Sequence, residues 1–317
     1  MDAKIEKNKS IYGEAATTSA SSADTKTFGI IKLLLRKTGL LPFFRWTKNS
    51  LFSPNKRLKK LSRFKTTIGG HDIQFSTEDE YSNNWFYPRY VGGRIHEKNV
   101  TNTLIKELAS AQCFVDVGTN LGWYTCVASK ALPHGKIYGF EMDQLNFDLL
   151  KKNIELNECQ NVEIFNYAVS DAPGEVVYQR PCDTPSPTFR IHRELEKQTT
   201  NDMVRVEAIS LDEFFDARKN KPDVLKIDVE GAEYAVLRGM KGLLSETKPR
   251  LFLEIHPQTL VHFNTSVEEI LSLLIDADYQ LFEIEELQNL DPANALRALE
   301  KKSVIEYNSM IYAIPNT

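Results

Sequence analysis

Cys113-Phe-Val-Asp-Val-Gly-Thr-Asn-Leu-Gly-Trp-Tyr-Thr125 is the stretch that decides how this chain folds. Residues 114–117 are a short apolar run, which predicts a strand buried on both faces in a parallel sheet. A helix is expected from residue 122. Between them stand Gly118, Asn120 and Gly122, with Asp116 inside the strand end. In an open α/β sheet, a nucleotide-like ligand meets the backbone at such a strand-to-helix turn. The glycines are four apart, so the stretch is not Gly-x-Gly-x-x-Gly and lacks the middle glycine that admits a pyrophosphate. The ligand expected here is a nucleoside without a diphosphate, which disfavours a nicotinamide-dependent dehydrogenase.

Outward from this loop, strands and helices alternate. Strands are expected at 136–141, 162–169, 223–228, 251–256, 279–285 and 307–314. Helices are expected near 96–108, 143–157, 210–217, 231–240 and 265–277. With 113–117 this makes a mostly parallel, twisted, seven-stranded sheet with helices on both faces. Two further strand-like pieces, 175–179 and 203–207, flank residues 180–202. That long stretch carries Pro181, Pro185 and Pro187 and is placed where a lid over a site belongs. Gly69-Gly70, within residues 64–75, reads as a hairpin turn.

Chemistry-bearing residues recur at the predicted strand tips. Glu141 ends the second strand about 20 residues past the glycines, where a carboxylate accepts from both hydroxyls of a ribose. Its other reading is a first-turn acid stabilised by the dipole of the next helix. Asn166 and Ala168 end the third strand, where an amide can read an adenine amino group and a small apolar residue can pack on its face. Ser170 and Asp171 read equally as turn residues before Pro173-Gly174. Asp228 and Glu230 leave the fourth strand, and Gly231 lets the chain turn into a helix. Glu254 and His256 share one face of the fifth strand by its period of two. Lys226, in mid-strand, reads as a structural ion-pair partner. Three carboxylates and an imidazole near one rim could take a proton from a hydroxyl, or merely order loops; a positioned base accelerates such a step by about 10²–10⁴.

Composition fits a globular enzyme, with 42% hydrophobic and 26% charged residues and a net charge of −4. The charge is unevenly spread. Residues 26–65 hold twelve Lys/Arg and no Asp/Glu, leaving 27 basic against 43 acidic residues elsewhere, or −16. Residues 1–27 read as a disordered tail. Residues 28–94 read as a basic, aromatic extension, either lying on an anionic membrane face or gripping a phosphorylated partner, or else packed on the body or in a dimer with its basic face solvated. No nucleic-acid module accompanies the patch, and none is expected as partner. The four cysteines (Cys113, Cys126, Cys159, Cys182) lack metal-type spacing. With a polar N-terminus and no apolar run of membrane-spanning length, the expected setting is cytoplasmic, with peripheral membrane contact through residues 26–65.

The blocks together resemble the FkbM-type S-adenosylmethionine-dependent methyltransferases over residues 95–315. The strings that carry the resemblance are Phe114-Val-Asp-Val-Gly-Thr-Asn-Leu-Gly-Trp-Tyr-Thr125, Phe140-Glu141 with Asn146, Leu149-Leu-Lys-Lys-Asn-Ile-Glu-Leu-Asn157 and Leu211-Asp212. Lys226-Ile-Asp-Val-Glu-Gly-Ala-Glu233 with Val236-Leu-Arg-Gly239 is the most specific, and Leu253-Glu-Ile-His256 and the strand at 308–315 also fit. Thr119 stands where alanine is common, and Met142 where proline is common. The resemblance implies a Rossmann-like methyltransferase domain over 95–317 that O-methylates a hydroxyl of a sugar, a glycan or glycolipid, or a secondary metabolite. It implies S-adenosylmethionine as cofactor, held by Asp116, Gly118, Asn120, Gly122, Glu141, Asn166, Ala168 and Asp228. The expected catalytic residues are Asp228, His256 and Glu254. In a variant, Asp228, Glu230 and Glu254 hold a divalent cation such as Mg²⁺, although the spacing does not establish that site. A competing, non-catalytic reading is a methyltransferase-fold scaffold that binds a membrane or protein through its basic arm.

Overall fold

The computed structural model describes residues 62–180, 185–186, 190–192, 203–286 and 295–316. They open with an antiparallel hairpin, β1 (Arg63–Ile68) and β2 (His71–Ser76). Its turn uses Gly69 and Gly70 at positive φ, a conformation glycine takes without steric cost. Single turns of π-helix (Ser82–Phe86) and 3-10 helix (Tyr87–Tyr90) lead to α1 (Lys98–Leu108). There follow β3 (Cys113–Val117), α2 (Trp123–Ala131), β4 (Lys136–Phe140), α3 (Gln144–Leu156) and β5 (Val162–Phe165). Next are β6 (Ala168–Val169), β7 (Gly174–Gln179), β8 (Arg190–His192) and β9 (Met203–Ile209). The remainder includes α4 (Leu211–Asp216), β10 (Val224–Ile227), α5 (Glu233–Arg238), α6 (Lys241–Glu246), β11 (Arg250–Ile255), α7 (Val267–Asp276), β12 (Tyr279–Ile284), β13 (Leu296–Leu299) and β14 (Ser309–Pro315), with short helical turns at Pro257–Leu260 and Val261–Phe263 between β11 and α7.

Among the described residues the central sheet has the order β13-β12-β14-β11-β10-β3-β4-β5. β11, β10, β3, β4 and β5 are parallel, while β14 runs antiparallel between β11 and β12. This is a Rossmann-like, mostly parallel sheet. The chain winds from β3 outward through β4 and β5, then returns to the other side of β3 with β10. The resulting crevice beside β3 is where such sheets place ligands.

Both faces of the sheet are covered. Val115, Val117, Leu225 and Ile227 point into one core with Phe215 of α4, Leu237 of α5 and Leu271 of α7. Phe114, Ile137, Val224 and Phe252, one residue out of phase, point into the other with Leu104 of α1 and Val127 of α2. Burial on both sides explains why β3 reads as a continuous apolar run rather than an alternation.

Three expectations need correction. The sheet has an eighth strand, β13, a four-residue edge strand too short to carry a periodic signal. The run 162–169 divides, with β5 in the central sheet and β6 in a second sheet ordered β6-β9-β7-β8. Residues 62–94, grouped by sequence with the extension, share a core with the α/β body: Phe75 stacks on Trp123 with centroids 5.2 Å apart. The tail 1–27, all but the last four residues of the basic arm 26–65, and most of the expected lid 180–202 lie outside the described residues. No helix among the described residues is long and apolar enough to cross a membrane.

Candidate active site

A cavity of about 650 Å³ opens at the carboxyl ends of β3, β4, β10 and β11. Gly118 sits at its junction, at φ +80°. A Cβ there would stand 1.9 Å from the backbone oxygen of Asp228, so only glycine lets the exits of β3 and β10 lie this close. The Gly118 and Thr119 N–H groups donate to the Phe140 carbonyl (2.9 and 3.1 Å). Gly118 therefore offers the cavity a close wall rather than a free donor.

On one side the loop is tied to β4. Asn120 N–H donates to Glu141 Oε2 (2.8 Å), and Asp143 N–H donates to Oε1 (2.9 Å). Glu141 is buried and lines the cavity; burial pushes its carboxyl up to about 7. Each of its oxygens keeps a second lone pair for a further donor. The Asn120 amide donates to the Tyr81 hydroxyl (3.1 Å), while its Oδ1 is buried without a partner among the described residues. Ala168, Met142 and Val169 continue the wall.

The other side collects charge. Lys226, 2% exposed, reaches Asp228 Oδ2 at 3.1 Å and lies 4.8 Å over the Tyr124 ring. Burial disfavours its charge, but Asp228, Asp116, Glu97 and Glu254 outweigh that and hold it cationic. His256 Nδ1 lies 2.6 Å from Oε1 of the fully buried Glu233, which also accepts from Gly231 N–H (2.9 Å). This leaves Nε2 facing Glu230 Oε2 at 3.6 Å and Asp228 Oδ1 and Glu254 Oε1 at 3.8 Å each. Burial opposes the imidazolium, but Glu233, Asp228, Glu254 and Glu230 overcome it and push His256 up to about 10. Burial and the charge of Asp228 raise Glu254 well above the usual carboxylate range. For Asp228, burial is outweighed by Lys226 and His256, and its carboxyl stays below that range.

The residues named from sequence fall into two groups. Gly118, Asn120, Glu141, Ala168, Asp228, Glu254 and His256 line the cavity. Asp116, Gly122 and Asn166 stand behind its wall. Asp116 is buried and accepts from Thr125 Oγ1 (2.6 Å); Gly122 caps α2 at φ +85° against Leu150. The Asn166 amide donates to the backbone oxygens of Glu141 and Met142 (2.9 and 3.0 Å), so it shapes the β4 exit instead of reaching into the cavity. The sequence reading missed the wall built by Tyr81, Phe86, Arg89, His96 and Glu97, and it gave Glu233 no role. Glu97, Asn120 and Glu230 all take positive φ (42°, 51° and 53°) without being glycine, a backbone strain that concentrates at functional sites.

These groups fit S-adenosylmethionine. Glu141 has lone pairs for a ribose diol, the orphaned Asn120 Oδ1 could accept from an ammonium, and Ala168, Met142 and Val169 offer an apolar wall for a base. Comparison with known proteins agrees. The family model for the methyltransferase FkbM domain matches residues 116–281, more than half of the 317 residues. Hexuronic acid methyltransferase AglP of Haloferax volcanii is 29% identical over 161 residues, 50% of this chain and 62% of that protein. Methyltransferase sdnD of Sordaria araneosa is 25% identical over 43% of this chain and 63% of that protein. The chain thus spans less than two thirds of the length of these relatives. A crystal structure of an FkbM methyltransferase from Methylobacillus flagellatus KT aligns with a TM-score of 0.39 at 16% identity, over 64% of this chain and 43% of that one. The chain belongs to the FkbM methyltransferase family, and its cofactor is S-adenosylmethionine.

Proposed function

We propose that this methyltransferase O-methylates a hydroxyl of a sugar, a glycan or glycolipid, or a secondary metabolite, with a sugar favoured by the relative that acts on hexuronic acid. The observation that carries the reading is the convergence of Asp228, Glu254 and His256 on the cavity, beside the half that fits the cofactor. When bound, S-adenosylmethionine supplies a methyl group already activated on a sulfonium. The chain's own part is to align, to exclude water and to move a proton. Glu141 would hold the ribose and Asn120 the ammonium, while Asp116, Gly122 and Asn166 hold the loops that carry them. His256 is held protonated by its carboxylates and burial raises Glu254, whereas Asp228 is held ionised by Lys226 and His256, so the base is assigned to Asp228.

Incubation with S-adenosylmethionine and a panel of uronic-acid-bearing and neutral oligosaccharides tests the reading, followed by mass spectrometry for one added methyl group. Turnover on amines alone would overturn it. The non-catalytic scaffold is not favoured, because the chain carries both a cofactor-sized cavity and the reactive cluster. Peripheral membrane contact remains part of the proposal. Deleting residues 1–61, which spares β1, should reduce sedimentation with anionic vesicles and leave S-adenosylhomocysteine affinity unchanged. Full retention on vesicles would remove the arm as anchor.

A further inference from the structure

We propose that Asp228, Glu254 and His256 bind one divalent cation at the acceptor side of the cavity. One donor atom from each lies within 4.8 Å of the other two, and His256 Nε2 is 3.8 Å from both Asp228 Oδ1 and Glu254 Oε1. Donors held about 2.1 Å from an ion stand roughly 3 Å apart when adjacent and roughly 4.2 Å apart when opposite. The three side-chain ends thus need to move by less than about 1 Å to seat an ion at such distances.

The imidazole is what separates this cluster from an ordinary patch of acids. The His256 side chain is 3% exposed, and its Nδ1 is fixed on the buried Glu233 at 2.6 Å. A carboxylate on one ring nitrogen orients the other as a metal ligand and raises its basicity. Nε2, so oriented, makes no hydrogen bond among the described residues; its nearest neighbours are three carboxylates, all beyond 3.5 Å. A divalent cation would take the place of the proton on that nitrogen and neutralise the carboxylates, of which Asp228 is already paired with Lys226 at 3.1 Å. Glu230, with Oε2 3.6 Å from Nε2, stands ready as an outer partner. Two carboxylate oxygens and one imidazole, with open positions toward the cavity, suit Mn²⁺ or Mg²⁺ better than thiophilic ions. The open positions would take oxygens of the acceptor. This use rests on the hydroxyl-acceptor reading, whereas cation binding does not.

Mn²⁺ is the probe. The full chain, stripped with a chelator and titrated with Mn²⁺, should quench the free-ion paramagnetic resonance signal to one equivalent. Pulsed measurements should then show ¹⁴N coupling from a bound imidazole. Glu254→Gln should weaken Mn²⁺ binding at least tenfold, and His256→Gln should abolish the ¹⁴N coupling. S-adenosylhomocysteine affinity, unchanged in both, reports that the variants are folded; should His256→Gln fail that check, Glu254→Gln decides. An undiminished free-ion signal, or binding that Glu254→Gln leaves untouched, overturns the site. Mn²⁺ binding at these residues without methylation of any hydroxyl would overturn the acceptor reading and leave the site standing.

Discussion

In the half of the cavity under β3 and β4, each oxygen of Glu141 takes a backbone N–H. In the half under β10 and β11, Asp228 and Glu254 face charged side chains, Lys226 and His256. Backbone donors are fixed by the fold and hold a carboxylate in one place, each worth about 1.5–3 kcal/mol when the acceptor is charged. Side-chain cations respond to what enters the cavity. The first half is therefore suited to the binding role proposed for it, and the second to the proposed change of protonation or uptake of a ligand. Gly118 joins them, because its missing Cβ lets the two exits touch.

Four perturbations would break or sharpen that contrast. The largest effect is expected from Asp228→Asn, which removes a charge from the reactive half. Turnover should fall by about 10²–10⁴ while S-adenosylhomocysteine affinity, measured by calorimetry, changes little. Equal loss of both would erase the division. Gly118→Ala should strike both halves, since its Cβ meets backbone at 1.9 Å and its φ is unfavourable. A loss of more than about 3 kcal/mol is expected in urea denaturation, from overpacking and strain together. Glu141→Ala acts on the binding half alone, and should weaken S-adenosylhomocysteine by about 10–100-fold, the equivalent of one charged hydrogen bond. The smallest effect concerns pH. Free Glu141, pushed up to about 7 by burial, is protonated below that pH, and ligand hydroxyls favour its ionised form. Binding then releases a proton, so affinity should rise with pH to about 7 and level off above, by at most about tenfold per unit. A flat profile between pH 6 and 8 would show that Glu141 does not meet the ligand.

The placement of Gly118, Asn120 and Glu141 around one cavity was largely legible in the sequence because it is local. Gly118, Asn120 and Glu141 sit at strand tips whose positions follow from apolar runs, and the period of two placed Glu254 and His256 on one face. What escaped was set by packing between distant segments. Tyr81, Phe86 and Arg89 reach the cavity only because the hairpin and the turns after it share a core with α2, which no local pattern announces. Asn166 misled because a polar residue at a strand tip can face ligand or backbone with equal chemistry, and here two carbonyls claim its amide. Glu233 carried no role in the sequence reading, yet it lies 2.6 Å from His256 Nδ1 and fixes the orientation of that imidazole.

The central claim is that the two halves cooperate to place a methyl group on a hydroxyl oxygen. Supplying S-adenosylmethionine labelled in its methyl group, with uronic-acid-bearing and neutral oligosaccharides, tests this directly when the product is then treated with alkali. The account predicts label in the sugar that survives alkali, as an ether does, and that is lost with Asp228→Asn. Label that alkali releases, or cofactor binding without label in any hydroxyl-bearing acceptor, would contradict it.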